Sequence, residues 1–387
     1  MKRLPTWLEI DLDRLDRNLE QIQRWVGDDV RMLLTVKADA YGHGAVQVAH
    51  AAQARVHVFG VATVDEAVEL SDSGIKNQIL ILSPILETEI AAVARHGFAI
   101  TLSGADFADA IAHHAVPPIP VHVEVDTGMG RTGVPEEDAF DEIRRVAATR
   151  AVRLEGVYTH FPVSDSDPEF TRAQVERFAA LIAKLRASGV IIPIVHSANS
   201  AAVDGVRDAH LNLVRPGLLA YGLHPSGAQP GVDVAPIMSW KSRIVRVRRV
   251  AKGKSISYAR SFVTERASMI GVVPVGYGHG YPFHLSGRGS MLVGGHRVPI
   301  VGRVTMDMTM VDLTDLAETP RAGDEVVLVG TQGNQSLTFH DLAAWGDTIC
   351  YEIMCGISKR VPRTYFRRGK VETFKSLLGV IPNHATA

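Results

Sequence analysis

The sequence predicts an α/β fold, a TIM (β/α)8 barrel followed by a C-terminal all-β domain. In the first part of the chain, eight short apolar segments alternate with Ala- and Glu-rich segments of helical spacing. Beyond about residue 236 the helical segments nearly disappear, and strand-like segments follow one another across Gly-rich turns. Eight β/α alternations are typical of a closed barrel, whereas the alternative, an open doubly wound sheet, usually has fewer strands.

Each predicted strand is a short apolar run bounded by polar residues, Gly or Pro. In the first part the predicted strands are 32–37, 57–62, 78–82, 99–102, 120–126, 154–160, 192–196 and 211–215. In the second part they are 238–250, 269–275, 291–301, 304–313 and 325–329. The Gly- and Pro-rich segment Ser226–Pro236 is the predicted linker, so we predict a barrel domain over 1–235 and a β-rich domain over 236–387.

The composition is that of an ordinary soluble protein, with 46% hydrophobic and 21% charged residues in a chain of 387. Lys and Arg number 41 against 42 Asp and Glu, so no charge excess favours nucleic acid or an anionic membrane as partner. The two cysteines, Cys350 and Cys355, indicate a reducing compartment and have too few neighbouring ligands for zinc, so we predict no metal. The sequence contains neither a signal peptide nor an apolar run of ~18 residues, and we expect a cytoplasmic protein.

Polar side chains mark the ends of several predicted barrel strands, where the active sites of TIM barrels lie. In the strand ending at Asp126, three valines share one face while His122, Glu124 and Asp126 share the other. Lys37 and His160 end two further strands. A lysine in this position loses hydration, which lowers its amine pKa and suits covalent bonding to an aldehyde cofactor. The alternative is a lysine whose ammonium group simply reaches solvent.

The segment Val36-Lys37-Ala38-Asp39-Ala40-Tyr41-Gly42-His43-Gly44 closely resembles the cofactor-lysine motif of the alanine racemases. The resemblance continues in the family's order along most of the chain. Further matching blocks are Glu9–Leu12, Asp126–Arg131, Thr159–Phe161, His196–Ser200, Arg215–Leu218, Tyr221-Gly222, Ser257-Tyr258, Gly276–Pro282, Gly302–Met308, Tyr351-Glu352 and Arg360–Arg363.

The resemblance implies an enzyme that uses pyridoxal 5'-phosphate (PLP) to interconvert L- and D-alanine, supplying D-alanine for cell-wall peptidoglycan. It implies that Lys37 binds the cofactor covalently and that Lys37 and Tyr258 are the two catalytic bases. It places Arg215 at the pyridine nitrogen and His160 between Arg215 and Tyr258. The remaining implied roles are phosphate binding by Tyr41, Ser200, Gly217, Leu218 and Tyr351, substrate binding by Arg131 and Met306, and support by Glu124, Asp307 and Tyr281.

Physical chemistry is consistent with several of these implied roles. Gly217 and Leu218 follow a late barrel strand, a place where TIM barrels often bind phosphate through backbone N–H groups. Arg215 only donates hydrogen bonds and keeps its proton, so a ring nitrogen facing it stays unprotonated and transamination is suppressed. Tyrosine has an ordinary pKa of about 10, and nearby cations are expected to lower the pKa of Tyr258.

The chain departs from the family pattern at a few positions. Glu124 stands where many relatives have a lysine that carries a carbamate formed from CO2, and we expect its carboxylate to bind Arg131 without modification. The other departures are Ala259 in place of Gly, His279 and Phe283 in place of Asp and Arg near the expected substrate entrance, and Cys350 in place of Asn.

The resemblance leaves three alternatives to an alanine racemase. A racemase of broader specificity would share the scaffold, but Tyr281 and Tyr351 are expected to narrow the pocket against long side chains. A related PLP decarboxylase fits the blocks around Arg131 and Tyr258 poorly. A non-catalytic PLP-binding protein would not need the second domain with its own base. Because that base must face the opposite side of the substrate, the resemblance also implies a homodimer with shared active sites.

Overall fold

The computed structural model describes residues 4–114, 116–225 and 231–382. The chain divides into two compact units. The first, here called the barrel unit, contains Arg14–Ala40 and Ala45–Ala235. The second, here called the β unit, contains the described residues of 4–13, 41–44 and 236–382.

The barrel unit is built around a closed sheet of parallel strands. The strand Ala99–Leu102 at one end of the sheet order also pairs with Ile119–Asp126, and this pairing closes the barrel. The closure confirms the predicted TIM barrel and excludes the open doubly wound alternative. The eight barrel strands are Arg31–Thr35, Val58–Val61, Gln78–Ile81, Ala99–Leu102, Ile119–Asp126, Val152–Thr159, Ile194–His196 and Leu213–Val214, and the short strand Val134–Pro135 is added beside them.

The helices of the barrel unit begin at residues suited to satisfy free backbone N–H groups. Thr63 and Glu66 form a capping box at the start of one helix, and Asp167 followed by Pro168 begins another. Within the described ranges, no helix is both long enough and apolar enough to cross a membrane. The helices are Leu12–Val26, Ala45–Ala52, Val64–Asp72, Ile90–His96, Ala105–Ala112, Ala139–Ala148, Pro168–Ala187 and Ser200–Gly205, with 3-10 turns at Glu87–Glu89 and Arg207–Ala209.

Apolar side chains from successive strands fill part of the barrel unit's core. Leu33, Leu80 and Leu213 are fully buried and cluster with Val58 and Ile194. Full burial of a Val, Leu or Ile side chain contributes about 1.5–3 kcal/mol. This layer leaves the ends of the strands, rather than the middle of the barrel, as the place for polar chemistry.

The β unit contains a large sheet, a three-stranded sheet and a hairpin. The large sheet runs in the order His296–Pro299, Ser290–Val293, Glu325–Gln332, Met238–Arg243, Thr6–Asp11, Arg363–Arg367, Lys370–Ser376 and Gly379–Pro382, with Gln335–Leu337 paired to Glu325–Gln332. The three-stranded sheet consists of Arg246–Val250, Ser268–Val273 and Thr309–Asp312, and the hairpin of Ser255–Ile256 and Phe262–Val263. The helices are Phe339–Gly346 and Cys350–Cys355, with 3-10 turns at Tyr258–Arg260, Tyr277–His279 and Phe283–Leu285. The predicted C-terminal β domain is thereby confirmed.

Three features of the β unit were not predicted. The expected single strand 291–301 is wrong, because Ser290–Val293 and His296–Pro299 are two strands that pair antiparallel to each other. The expected single strand 238–250 is wrong, because Met238–Arg243 joins the large sheet while Arg246–Val250 joins the three-stranded sheet. The strand Thr6–Asp11 pairs with Met238–Arg243 and Arg363–Arg367, residues far away in the sequence. The domain bounds 1–235 and 236–387 stay a prediction, and residues 226–230 of the predicted linker lie outside the described residues.

Candidate active site

Lys37 lies at the start of a strained turn in the barrel unit. The strand before it ends at Thr35, two residues earlier than predicted. Ala38, Asp39 and Ala40 then adopt left-handed backbone angles, with φ of 53°, 54° and 53°, although none is glycine. Each left-handed non-glycine residue costs roughly 1–2 kcal/mol. Strain of this kind collects at functional sites, where surrounding contacts maintain it.

Carboxylates hold this turn in place. Glu66 Oε1 accepts a hydrogen bond from the Ala38 amide at 2.7 Å, and Oε2 accepts one from the Ala62 amide at the same distance. Asp39 Oδ1 accepts from the Ala45 amide at 2.9 Å, at the start of the next helix. Sequence reasoning missed Glu66, and the available signal was its place in the Thr63–Glu66 capping box.

Three cations converge on His160. Arg215 Nη2 lies 3.3 Å from Nδ1 of His160. Burial and the positive charges of Arg215, Arg131 and Lys37 lower the pKa of His160 to about 3. His160 is therefore neutral at pH 7, and the barrel unit brings these four predicted site residues together.

Arg215 is a buried guanidinium held by neutral acceptors. Its Nη2 atom donates to the carbonyl oxygens of Thr159 and Ser197, each at 2.9 Å, and its Nη1 atom lies 2.8 Å from Nδ1 of His196. Among the described residues its Nε atom makes no hydrogen bond. Burial lowers the pKa of Arg215 to about 10, so the side chain still carries its charge at pH 7. The result is a rigid donor with an N–H group available to a ligand.

Ser200 and Leu218 form a cradle of hydrogen-bond donors. The Ser200 hydroxyl oxygen accepts from the amides of Gly217 at 2.9 Å and Leu219 at 3.3 Å. Both hydroxyl lone pairs are then used, so its O–H is left to donate outward. Leu218 is fully buried, and its amide has no acceptor within the described parts of the chain. A buried N–H without a partner is costly unless a ligand accepts its hydrogen, and phosphate is such a ligand.

A buried carboxylate and a half-exposed arginine occupy the end of the strand Ile119–Asp126. Glu124 is 2% exposed, and its Oε2 accepts a hydrogen bond from the Thr132 hydroxyl at 2.6 Å. Arg131 Nη2 lies 3.5 Å from Glu124 Oε1, close enough for an ion pair. Asp126 folds the intervening loop by accepting from the amides of Gly128 at 2.8 Å and Arg131 at 3.1 Å. Although burial opposes it, hydrogen bonds from the loop amides, that of Gly130 most and then those of Gly128, Arg131 and Met129, lower the pKa of Asp126.

In the β unit, the two tyrosines predicted to bind phosphate contact each other. The rings of Tyr41 and Tyr351 meet edge to face with centroids 5.6 Å apart. Burial, with smaller effects of Tyr351 and Cys355, raises the pKa of Tyr41 well above its ordinary value. Tyr41 therefore stays a hydroxyl donor at neutral pH.

Tyr258 lies on a strained and exposed turn of the β unit. Its side chain is 70% exposed. Ser257, Ala259 and Arg260 around it have φ of 65°, 57° and 50°, and Ser257 Oγ donates to the carbonyl oxygen of Arg303 at 2.7 Å. The positive φ of Ala259 gives a physical reason for the glycine that the family usually has there.

The other predicted site residues of the β unit differ in exposure. Met306 is half-exposed, and Asp307 forms an ion pair with Arg360 at 2.8 Å. Tyr281 is fully buried against Trp240, and its hydroxyl has no partner among the described residues. Of the departures, His279 and Cys350 are buried and Phe283 is exposed. Across the described ranges, no group of three His, Cys, Asp or Glu side chains could hold a metal ion.

The chain was compared with known families. Residues 10–225 match the family description "Alanine racemase, N-terminal domain", and residues 237–365 match "Alanine racemase, C-terminal domain". It is 40% identical over 367 residues to an alanine racemase of Halothermothrix orenii, covering 93% of this chain and 97% of that protein. It is 41% identical over 383 residues to alanine racemase 2 of Caldanaerobacter subterraneus subsp. tengcongensis, covering 97% and 98%.

Solved structures agree with the sequence relatives. An alanine racemase of Clostridium difficile 630 superposes with a TM-score of 0.92 at 34% identity, covering 97% of this chain and 99% of that one. The alanine racemase of Bacillus anthracis with bound L-Ala-P superposes with a TM-score of 0.90 at 34% identity, covering 98% and 97%. Both family descriptions and relatives above 30% identity span nearly the whole chain. The protein therefore belongs to the alanine racemase family.

Proposed function

We propose that this protein is a PLP-dependent alanine racemase that interconverts L- and D-alanine. The observation that carries the proposal is the convergence of Lys37, Arg131 and Arg215 on the neutral His160 in the barrel unit. The amine of a lysine is the group that bonds covalently to an aldehyde cofactor.

The residues present fit the cofactor. The Ser200 hydroxyl and the buried amide of Leu218 offer donors suited to a phosphate, and Arg215 offers Nε to a ring nitrogen. In this proposal Lys37 binds the cofactor covalently, and Gly217, Tyr41 and Tyr351 complete the phosphate contacts. When bound, PLP supplies an electron-withdrawing group that makes the α-hydrogen of the amino acid more acidic.

Racemisation requires a proton acceptor on each side of the α-carbon, because the proton leaves one face and returns to the other. We infer that Lys37 serves one face and Tyr258 the other. His160 is neutral and accepts from Arg215 at Nδ1, so its Nε2 carries the hydrogen. A donor of this kind is suited to hold the hydroxyl oxygen of Tyr258 in place for proton transfer.

Substrate selection is proposed to depend on a small set of side chains. Arg131 is half-exposed and ion-paired to Glu124, so part of its guanidinium remains accessible to a substrate carboxylate. Met306 is expected to lie near that carboxylate, with Asp307 and Tyr281 supporting the β-unit loops. Tyr351 is expected to limit the length of the substrate side chain, which favours alanine over larger amino acids.

We propose a homodimer in which Tyr258 serves the partner's barrel. A base that is 70% exposed in the single chain lacks the water-poor surroundings that proton transfer from carbon requires. Tyr277, Phe283, Met306 and Met308 are each more than 40% exposed on the same unit. Tyr277 and Phe283 contact each other with ring centroids 6.3 Å apart, and contiguous exposed apolar side chains of this kind mark an interaction surface. The product D-alanine is proposed to enter cell-wall peptidoglycan.

The test is chiral chromatography of the holoenzyme incubated with a panel of single L-amino acids. Alanine alone should approach an equal mixture of enantiomers rapidly. Comparable inversion of long side chains would indicate a broader racemase, and no inversion at all would indicate a PLP carrier. Borohydride reduction followed by peptide mapping should place the retained cofactor on Lys37, and retention on another lysine would contradict the assignment.

A further inference from the structure

Two buried histidines of the barrel unit have no part in the chemistry proposed above. His122 is 2% exposed and His196 is fully buried, yet imidazoles are seldom placed so deep without hydrogen-bond partners. His122 Nδ1 lies 2.9 Å from His196 Nε2, and His196 Nδ1 lies 2.8 Å from Nη1 of Arg215. The three side chains form a line that begins at the guanidinium and runs into the barrel.

The hydrogen bonds in this line can point in only one direction. Arginine donates and never accepts, so Nδ1 of His196 must be the acceptor. A neutral imidazole with an accepting Nδ1 carries its hydrogen on Nε2, and His196 therefore donates to Nδ1 of His122. By the same reasoning the hydrogen of His122 is on its own Nε2. One arginine thus sets the tautomers of both histidines.

Packing prevents the rings from leaving this arrangement. The ring of Tyr158 stacks on His196 with centroids 4.7 Å apart, and the guanidinium carbon of Arg215 lies 5.1 Å from the Tyr158 ring centroid. Gly156 provides the space for His122, because a Cβ atom at Gly156 would lie 2.3 Å from His122 Nδ1. Close packing on both histidines therefore holds the rings in the positions that these hydrogen bonds require.

We propose that His122 and His196 are positioning residues that hold Arg215 as a donor of fixed direction through a chain of neutral, Nε2-protonated imidazoles. The effect on catalysis rests on the function proposed above, whereas the tautomer chain does not. Burial and the charge of Arg215 outweigh the charge of Glu155 and lower the pKa of His122 to about 4. Burial, Arg215 and His122 likewise lower the pKa of His196 well below its ordinary value.

The proposal is tested by NMR of the holoenzyme labelled with 15N-histidine, in which long-range couplings distinguish the two neutral tautomers and the charged ring. Variants of His122 and His196 identify their signals among the 16 histidines. Both should be neutral and Nε2-protonated at pH 7. A charged ring or an Nδ1-protonated tautomer at either position overturns the proposal, whether or not the protein racemises alanine.

Variants then separate positioning from packing. His122→Phe removes the acceptor for His196, so His196 should show mixed tautomers. In this variant kcat should fall about tenfold, KM should change little and the cofactor absorption band should shift. His122→Asn offers Oδ1 in place of Nδ1, so it should restore the His196 tautomer and most of kcat. Ile143→Val, a conservative change at a fully buried residue of the helix Ala139–Ala148 outside this line, should alter neither property. If His122→Asn and His122→Phe behave alike, or if Ile143→Val lowers kcat equally, the positioning role is excluded. If no variant folds, nuclear Overhauser contacts to the Tyr158 ring identify His196, the hydrogen bond between the two rings identifies His122, and the wild-type spectrum then decides the tautomer chain.

Discussion

Glu124 and Arg131 form an ion pair between a buried and a half-exposed side chain, with Glu124 Oε1 and Arg131 Nη2 3.5 Å apart and side-chain exposures of 3% and 47%. The carboxylate is also held by the Thr132 hydroxyl at 2.6 Å. A charge fixed this firmly can orient an arginine that solvent would otherwise leave mobile. The sequence predicted the pairing of these two residues, but not the contribution of Thr132.

Replacing Glu124 tests whether it orients Arg131. Glu124→Ala should lower kcat/KM for alanine about tenfold, chiefly through KM, because Arg131 loses its anchor. Glu124→Gln keeps the shape and the Thr132 contact but not the charge. Its kcat/KM should lie between that of Glu124→Ala and that of the wild type. Because no carbamate is needed, wild-type activity should not respond to bicarbonate, whereas Glu124→Lys should recover partly when bicarbonate is added. A fully active Glu124→Ala would exclude the role.

The clamp on the turn after Lys37 leads to a second prediction. Glu66→Ala removes the acceptor of the Ala38 and Ala62 amides, so the left-handed turn loses the contacts that offset its strain. Covalent cofactor retention and kcat should both fall, and the melting temperature should drop by several degrees. Glu89→Ala, at the end of a 3-10 turn in the same unit, removes an exposed carboxylate that accepts from the Leu86 amide, far from Lys37 in the sequence. It should leave cofactor retention unchanged, and equal losses in both variants would contradict a specific clamp.

The exposure of Tyr258 gives a third prediction, on shared active sites. Lys37→Ala and Tyr258→Ala proteins should each be inactive alone. After subunit exchange, mixed dimers would contain one site with both bases intact, so part of the activity should return. Measured exchange by mass spectrometry without any recovery of activity would show that each subunit uses its own Tyr258.

The neutral histidines make stability depend on pH. Their folded pKa values, about 4 for His122 and about 3 for His160, lie below the ordinary 6.5. Between pH 6.5 and these values the unfolded chain binds protons that the folded chain does not, so the contribution of these histidines to stability falls as the pH falls and is constant below about pH 3. For one such histidine the loss at pH 5 is about 2 kcal/mol. In urea unfolding at fixed protein concentration, the free energy of unfolding of His122→Asn should fall less than that of the wild type between pH 7.5 and 5. If the two proteins lose the same amount over this range, His122 is not a buried neutral histidine.

Local patterns predicted the barrel well because each strand is a separate apolar run with its own boundary. The strand before Lys37 was expected to reach Lys37 itself, but no propensity indicates a left-handed turn through Ala38, Asp39 and Ala40, none of which is glycine. The strand Thr6–Asp11 gave no sign of its partners, since pairing with Arg363–Arg367 is decided by tertiary packing.

The candidate site was predictable where a residue type carries its own chemistry and not where it depends on a distant partner. The polar stripe of His122 and Glu124 was visible in the alternation of one strand. The contact between His122 and His196 joins residues 74 positions apart and becomes apparent only in the folded barrel. The Leu218 amide, which has no acceptor among the described residues, was likewise invisible, because a backbone donor has no sequence signal.

The most direct test of the two-base account is α-hydrogen exchange in D2O, followed by 1H NMR for each enantiomer of alanine separately. Wild type and Tyr277→Phe, which changes another exposed tyrosine of the β unit, should exchange both enantiomers and interconvert them. Tyr258→Phe retains only Lys37, and the account predicts exchange of one enantiomer with its configuration kept and negligible exchange of the other. If Tyr258→Phe exchanges and inverts both enantiomers at the wild-type rate, Tyr258 is not the second base.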